Sequence, residues 1–288
     1  MTTLLSWNIQ AGTGVDGHPD LARTVRTISA LADADVICLQ EVERHVPHAG
    51  AGADDQLDAL ARAFPAHAAV FGACLERAGH DAAGTPGSYQ FGNLVLSRLP
   101  VASVFRHPLP QPAVPGVRNM PRQATELTLL APWGPLRVVT THLEYHSAPQ
   151  RLAQVARLRE LHAEVAALAR EPGAPLAQGP YARYPRAASA VICGDFNLEP
   201  GAAEYRALLA PFADGAPGLA DAWDLLHRGQ PHAPTCGVFD LAQWPMGAHC
   251  RDFFFVTDDL EPRLRGFRVD LDTAASDHQP IVLELADG

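Results

Sequence analysis

No two of the five cysteines form a CxxC pair, and Cys38, Cys74, Cys193, Cys236 and Cys250 are odd in number and widely spaced. Cys236, His249 and Cys250 match no structural zinc spacing. Cys38 and Cys193 lie in apolar runs, where a thiol serves as a small hydrophobe. No apolar run is long enough to cross a bilayer. The opening MTTLLSWNIQ lacks the basic-then-apolar order of a secretory signal. These absences predict a cytoplasmic chain with no membrane insertion. Positive charge is scarce as well: 22 Lys+Arg stand against 32 Asp+Glu, a formal net charge of -10. Proteins that hold nucleic acid through phosphate contacts draw most of their affinity from counterion release at a basic face. The charge therefore argues against a general nucleic-acid binder, and a nuclease would need a local basic face. No internal repeat and no linker interrupts the chain, so residues 1–288 read as a single domain, expected to be a monomer.

Apolar residues make up 47% of the chain and charged ones 19%, enough for a large globular core. Leu4 to Ile9, Val36 to Leu39, Asn93 to Leu96 and Ala190 to Cys193 read as buried strands. Thr125 to Leu130 and Leu136 to Thr141 read as a strand pair around the Pro132–Pro135 turn. Phe253 to Val256, Gly266 to Val269 and Ile281 to Leu285 follow near the end. Helical spacing runs through Leu21, Val25, Ile28 and Leu31, and through Leu57, Leu60 and Phe64. A longer helix is expected from Ser147, which caps it while Gln150 reaches back. Its buried stripe is expected at Leu152, Val155, Leu158, Val165 and Leu168. Arg106 to Pro121 and the proline-rich Gly173 to Pro185, which includes Pro175, are expected to be loops. Two packed sheets with helices outside would bury every strand.

Polar clusters stand at the ends of these strands: Trp7-Asn8, Gln40-Glu41, Thr141-His142 and Asp195 with Asn197. Asp252 and Ser276-Asp277-His278 lie near the C-terminus. Such residues converge readily on one edge of a sandwich, and function commonly sits on rigidly supported loops. Glu41 ends a buried strand, where an unpaired carboxylate is costly and a hard cation with oxygen ligands would neutralise it. Asn8 offers that ion a carbonyl oxygen, or orients Glu41 by a hydrogen bond. Asp195 and Asn197, two apart on an extended segment, would point the same way; an Asx-turn is the plainer alternative. His278 and Asp252 repeat the pairing in which a carboxylate fixes an imidazole.

"SWNIQ", "LQEV", "FGNLVLSRLP", "TTHLE", "GDFN" and "SDHQP" occur in the order seen in the endonuclease/exonuclease/phosphatase superfamily, the deoxyribonuclease-I-like proteins, which the chain resembles from Ser6 to Pro280. The resemblance implies a four-layer α/β/β/α sandwich of two mixed, mainly antiparallel sheets, with the active site at one end. It implies Mg²⁺- or Mn²⁺-dependent hydrolysis of phosphate esters. It casts Asp195 as general base and Asp277 as a further metal ligand beside Asn8 and Glu41; His278, and His142 as a second donor, would then face the non-bridging phosphate oxygens. Arg122 resembles an arginine of some bacterial members that would clamp phosphate; a solvated strand-start residue is the other reading. Gln10 stands where many members carry an acidic residue, and Arg251-Asp252-Phe253 replaces the usual Ile-Asp-Tyr. A nuclease, a phosphoinositide phosphatase and a small-molecule phosphodiesterase would share this centre. A DNA-repair nuclease and a non-catalytic binding module stay open as alternatives. Pro231 to Cys250, with Trp244 and Met246, either walls the pocket or is an ordinary packed loop.

Overall fold

The computed structural model describes residues 1–45, 55–80, 86–174 and 177–288. The first half runs β1 (Thr2–Asn8), α1 (Leu21–Leu31), β2 (Val36–Arg44), α2 (Gln56–Ala63), β3 (Ala68–His80), β4 (Pro86–Ser97), β5 (Val101–Pro108), β6 (Gln123–Ala131) and β7 (Gly134–His142). The second half runs α3 (Ala148–Arg170), β8 (Ala190–Asp195), α4 (Ala203–Leu209), β9 (Leu219–Asp221), α5 (Ala222–Leu226), β10 (Asp252–Thr257), β11 (Leu264–Val269) and β12 (Ile281–Leu285). Two six-stranded sheets result, ordered β11-β12-β1-β2-β4-β3 and β5-β6-β7-β8-β10-β9. The pairs β1–β2 and β7–β8 are parallel, and the rest are antiparallel. Among the described residues no helix is long and apolar enough to cross a membrane.

Alternation along the central strands decides which side chain enters which layer. Leu4, Val36, Cys38, Val191, Cys193, Phe254 and Val256 point inward and fill the space between the sheets. Their neighbours Leu5, Trp7, Ile37 and Leu39 pack outward with Ile28 of α1 and Leu60 of α2. Ile192, Phe253 and Phe255 likewise meet Val155 and Leu158 of α3 and Tyr205 and Leu208 of α4. Both faces are covered, which is why these strands read as unbroken apolar runs. The architecture is the four-layer α/β/β/α sandwich.

Several elements differ from the sequence expectation. β3 and β5 were not anticipated; each is an edge strand, half-solvated and therefore mixed in composition. β5 takes in Arg106 to Pro108 from the expected loop, with Pro108 at its last position, where a missing N–H costs little. Leu152 and Leu168 of α3 are 45% and 53% exposed rather than buried. The helix buries Gln150 and Gln154 instead, because their amides serve the proline-rich loop. Gln150 donates to the Pro112 carbonyl at 2.7 Å and Gln154 to that of Pro110 at 3.2 Å. Gln150 thus does not reach back to the helix start, although Ser147 does accept from its backbone N–H. Residues 177–185 form the expected exposed excursion; Pro175 lies outside the described residues.

A buried ion network braces the second sheet. Glu126 of β6 accepts from Arg186 at 2.6 Å and lies 3.4 Å from Arg137 and 3.3 Å from His107. Burial opposes its charge, but His107, Arg186 and Arg137 hold its pKa at about 2, against an ordinary 4.5. A depressed carboxylate contributes stability above its unfolded pKa and loses it as pH falls through the folded one. The shift corresponds to roughly 3 kcal/mol at neutral pH. Glu126→Gln is therefore expected to lower the urea midpoint at pH 7. The gap to wild type should close as pH falls from 4.5 towards 2; a gap that persists there would contradict the network.

Candidate active site

Strand register places the site residues beside one another. His142 pairs with Asp195 across β7 and β8, and Asp252 pairs with Asp195 across β10 and β8. Three adjacent strands thus deliver three titratable groups to one edge, about 5 Å apart. In the other sheet, β1 ends at Asn8 opposite Gln40. A bulge in β2 between Leu39 and Val42 leaves Glu41 at φ 56; the extra residue re-aims its carboxylate. So β2 does not stop at Glu41 but bends there. Gly194 has φ 132, and a Cβ on it would lie 2.0 Å from the Thr141 carbonyl oxygen. Only glycine lets β8 approach β7 so closely just before Asp195.

Asp195 is the hub. Its Oδ2 accepts from Asn8 Nδ2 at 3.1 Å and lies 3.3 Å from His142 Nε2 and 3.6 Å from His278 Nε2. Its Oδ1 accepts from the Asn197 backbone N–H at 2.9 Å. Asn197 sits at φ 51, so the two side chains are not carried on an extended segment: an Asx-turn forms, and the Asn197 amide turns to the Leu143 carbonyl at 3.0 Å. Asn8 also donates to Glu41 Oε1 at 3.0 Å, while its own Oδ1 accepts from Gln10 N–H at 3.1 Å. Here Asn8 orients Glu41 and Asp195. His278 Nδ1 lies 2.8 Å from Asp252 Oδ2, the expected imidazole–carboxylate pairing. Asp277 accepts from Gln243 Nε2 at 2.8 Å.

Electrostatics sort these groups into roles. Burial first, then Asp277 and Asp195, push the Glu41 carboxyl up to about 7. Burial would also raise Asp195, but His278, His142 and the Asn197 and Asn8 donors hold it below the usual carboxylate range. Asp195 is therefore ionised and able to take a proton. Burial opposes a charge on His278, yet the Asp252, Asp195 and Asp277 carboxylates outweigh it and hold the imidazolium well above its ordinary range. His142, desolvated and facing the Arg122 guanidinium, is lowered to about 3 and is neutral.

Asp195, Asp252 and His278 also bring one ligand atom each within 4.8 Å of one another. Both donors to the Asp252 carboxylate, however, meet its Oδ2: His278 Nδ1 at 2.8 Å and the Thr235 hydroxyl at 2.6 Å, while the buried Oδ1 has no hydrogen-bond partner. Through Oδ2 the carboxylate holds the proton of the His278 Nδ1. The Cys236 sulfur lies 3.2 Å from His249 Nε2, but the Cys250 thiol turns to the Asp252 carbonyl, so the three do not meet as a zinc ligand set.

The hub opens into a cleft of about 300 Å³ lined by Glu41, Arg122, His142, Asp195 and Asn197, with Phe91, Met120, Tyr145, Gln243 and Trp244 as its other walls. Arg122 is buried beside Glu144 at 3.5 Å, so it is not a solvated strand-start residue. Gln243 and Trp244 come from the 231–250 loop, which thus walls the pocket, while Met246 is exposed. Sequence reasoning missed Gln243 and Thr235. It placed Trp7 beside Asn8 without its role as a buried donor, in which Nε1 holds the His278 carbonyl at 2.9 Å. A threonine seventeen residues before its partner carboxylate leaves no local signal. Thr235→Val keeps the shape and removes a donor to a carboxylate, a bond worth about 1.5–3 kcal/mol. We expect kcat to fall roughly tenfold with KM little changed and Thr235→Ser to restore it; unchanged kcat would remove Thr235 from the site.

The sequence profile of the Endonuclease/Exonuclease/phosphatase family matches residues 5–278. No curated protein sequence matches the chain. Among solved structures, an endonuclease/exonuclease/phosphatase from Beutenbergia cavernae is similar at 25% identity and a TM-score of 0.66, over 99% of this chain and 72% of that one. A mannosyl-6-phosphatase from Bacteroides thetaiotaomicron is 17% identical with a TM-score of 0.67, over 99% and 100%. TDP2 from D. rerio, complexed with a single-strand DNA product, is 18% identical with a TM-score of 0.63, over 98% and 97%. The chain belongs to the endonuclease/exonuclease/phosphatase family.

Proposed function

We propose that the cleft hydrolyses phosphate esters by attack of water, using a divalent cation, Mg²⁺ or Mn²⁺. The carrying observation is the part-exposed Glu41 carboxylate at the cleft, pushed up to about 7 by burial first and then by the buried Asp277 and Asp195 carboxylates. An all-oxygen set of this kind fits a hard cation. Glu41 and Asp277 would hold it, with Asn8 fixing Glu41. Bound there, a cation neutralises charge on the phosphoryl and leaving oxygens. Asp195 takes the proton of the attacking water. His278, kept protonated by Asp252, donates to the oxygen on which negative charge grows. His142 steadies Asp195 from the other side, and Arg122 faces the phosphate. Residues from Asn8 to His278 contribute, so we take 1–288 as one catalytic domain, acting as a monomer.

A small phosphoester is the favoured substrate. The cleft has about 300 Å³ and four apolar walls in Phe91, Met120, Tyr145 and Trp244, and the net charge of -10 disfavours broad phosphate contacts. The similar mannosyl-6-phosphatase acts on a small ester by its name; the DNA-bound TDP2 motivates the nuclease as second reading. A panel of phosphodiester, phosphomonoester, DNA, RNA and phosphoinositide with Mg²⁺ and Mn²⁺ separates them. The expected result is turnover of a small ester well above any DNA incision. Preferential cleavage of DNA, with tight binding at physiological salt, would overturn this choice, and no turnover of any ester would favour a binding module.

A further inference from the structure

Outside the cleft, Asp221, Asp224 and His232 bring one ligand atom each within 4.8 Å of one another. Asp221 ends β9 and caps α5, accepting from Trp223 N–H through Oδ1 at 2.8 Å. Asp224 follows one turn later, and His232 comes from the segment between α5 and β10. His232 Nε2 lies 2.8 Å from Asp221 Oδ2 and 3.7 Å from Asp224 Oδ1. Around an ion with bonds of about 2.0 Å, the edge of a tetrahedron is about 3.3 Å, and the two distances bracket that value. The imidazole is wedged among the rings of Trp223, Tyr205 and Phe253, with centroids 5.9, 6.4 and 5.8 Å away. Ring packing and the 2.8 Å contact with Asp221 Oδ2 together aim its Nε2 at the carboxylates.

Hydrogen and charge are both in short supply there. The Tyr205 hydroxyl lies 3.0 Å from Asp221 Oδ2 and 2.9 Å from Asp224 Oδ2. One hydroxyl proton and one imidazole proton therefore face three carboxylate oxygens. Among the described residues, the ion pairs of Asp221 and Asp224 run to His232 alone, and no arginine joins them. Asp221 is buried, with His232 as its one ion-pair partner among the described residues, and that imidazole is shared with Asp224. One imidazole nitrogen with two carboxylate oxygens suits Zn²⁺ rather than Mg²⁺, which prefers oxygen ligands alone. Asp224 is 54% exposed, which leaves an approach for an ion and room for a water as fourth ligand.

We propose that Asp221, Asp224 and His232 form a divalent-cation site for Zn²⁺, separate from the catalytic cleft. An ion held there ties α5 to the segment that carries Thr235. Equilibrium dialysis of the full chain against Zn²⁺ alone, with bound metal counted by elemental analysis, tests it. Asp224→Asn and His232→Asn are each expected to remove about one equivalent of zinc relative to wild type, while Glu41→Gln keeps that equivalent. Asp224 is half exposed, so its variant tests the site without disturbing the core; matching melting curves in zinc-free buffer confirm the fold. Zinc should raise the melting temperature of Glu41→Gln and do so less in Asp224→Asn. Unchanged zinc binding in either ligand variant, or loss of the equivalent in Glu41→Gln alone, would overturn the proposal.

Discussion

Asp195→Asn is expected to lower kcat by about 10²–10⁴-fold, the usual contribution of a positioned general base. The amide has the shape of the carboxylate and cannot accept a proton. Its orientation follows from the neighbours. Oδ2 faces the donors of Asn8, His142 and His278, whereas Oδ1 faces only the Asn197 N–H. The amide oxygen will therefore take the Oδ2 place, and the lost bond to Asn197 costs roughly 1 kcal/mol of stability. Metal and substrate binding should be little changed, so the loss falls on kcat rather than KM. Near-wild-type turnover in this variant would put the base elsewhere.

His278→Ala is expected to lower kcat by about 10²–10³-fold, since it deletes a donor aimed at developing charge. Part of the cost is structural. Asp252 loses the partner at 2.8 Å and keeps only the Thr235 hydroxyl on its Oδ2, so a buried carboxylate stands half-satisfied. The discriminating measurement is the double variant with Asp195→Asn. Groups that act in one transition state are strongly non-additive, and Asp195 and His278 lie 3.6 Å apart. The double variant should be far less impaired than the product of the single losses. A product equal to the two separate factors would mean that the residues act in different steps.

Much of this centre is legible because buried strands announce themselves. β1, β2, β8 and β10 have both faces covered, so their apolar runs stand out, and each carries a residue the edge needs: Asn8 and Asp195 end β1 and β8, Gln40 and Glu41 sit at the bend of β2, and Asp252 opens β10. What escapes is set by contacts between distant segments. Gln243 meets Asp277 across 34 positions and Trp7 meets the His278 carbonyl across 271; neither interval carries a periodic signal. Orientation escapes too. Nothing local tells that Asn8 turns its NH₂ to Glu41 and Asp195, or that Asn197 bends back in an Asx-turn. The edge strands β3 and β5 are hidden by partial solvation, and Gln150 and Gln154 look solvent-facing because the carbonyls they serve lie about forty residues upstream.

The claim that Glu41 and Asp277 hold a cation needed for ester hydrolysis is tested by initial rates on a small soluble phosphoester. Wild type and Glu41→Gln would be assayed in excess chelator and then across a titration of Mg²⁺ or Mn²⁺. Wild-type activity should vanish with chelator and return with either ion, and Glu41→Gln should need a much higher ion concentration to reach a lower plateau. Full wild-type activity in excess chelator would contradict the account.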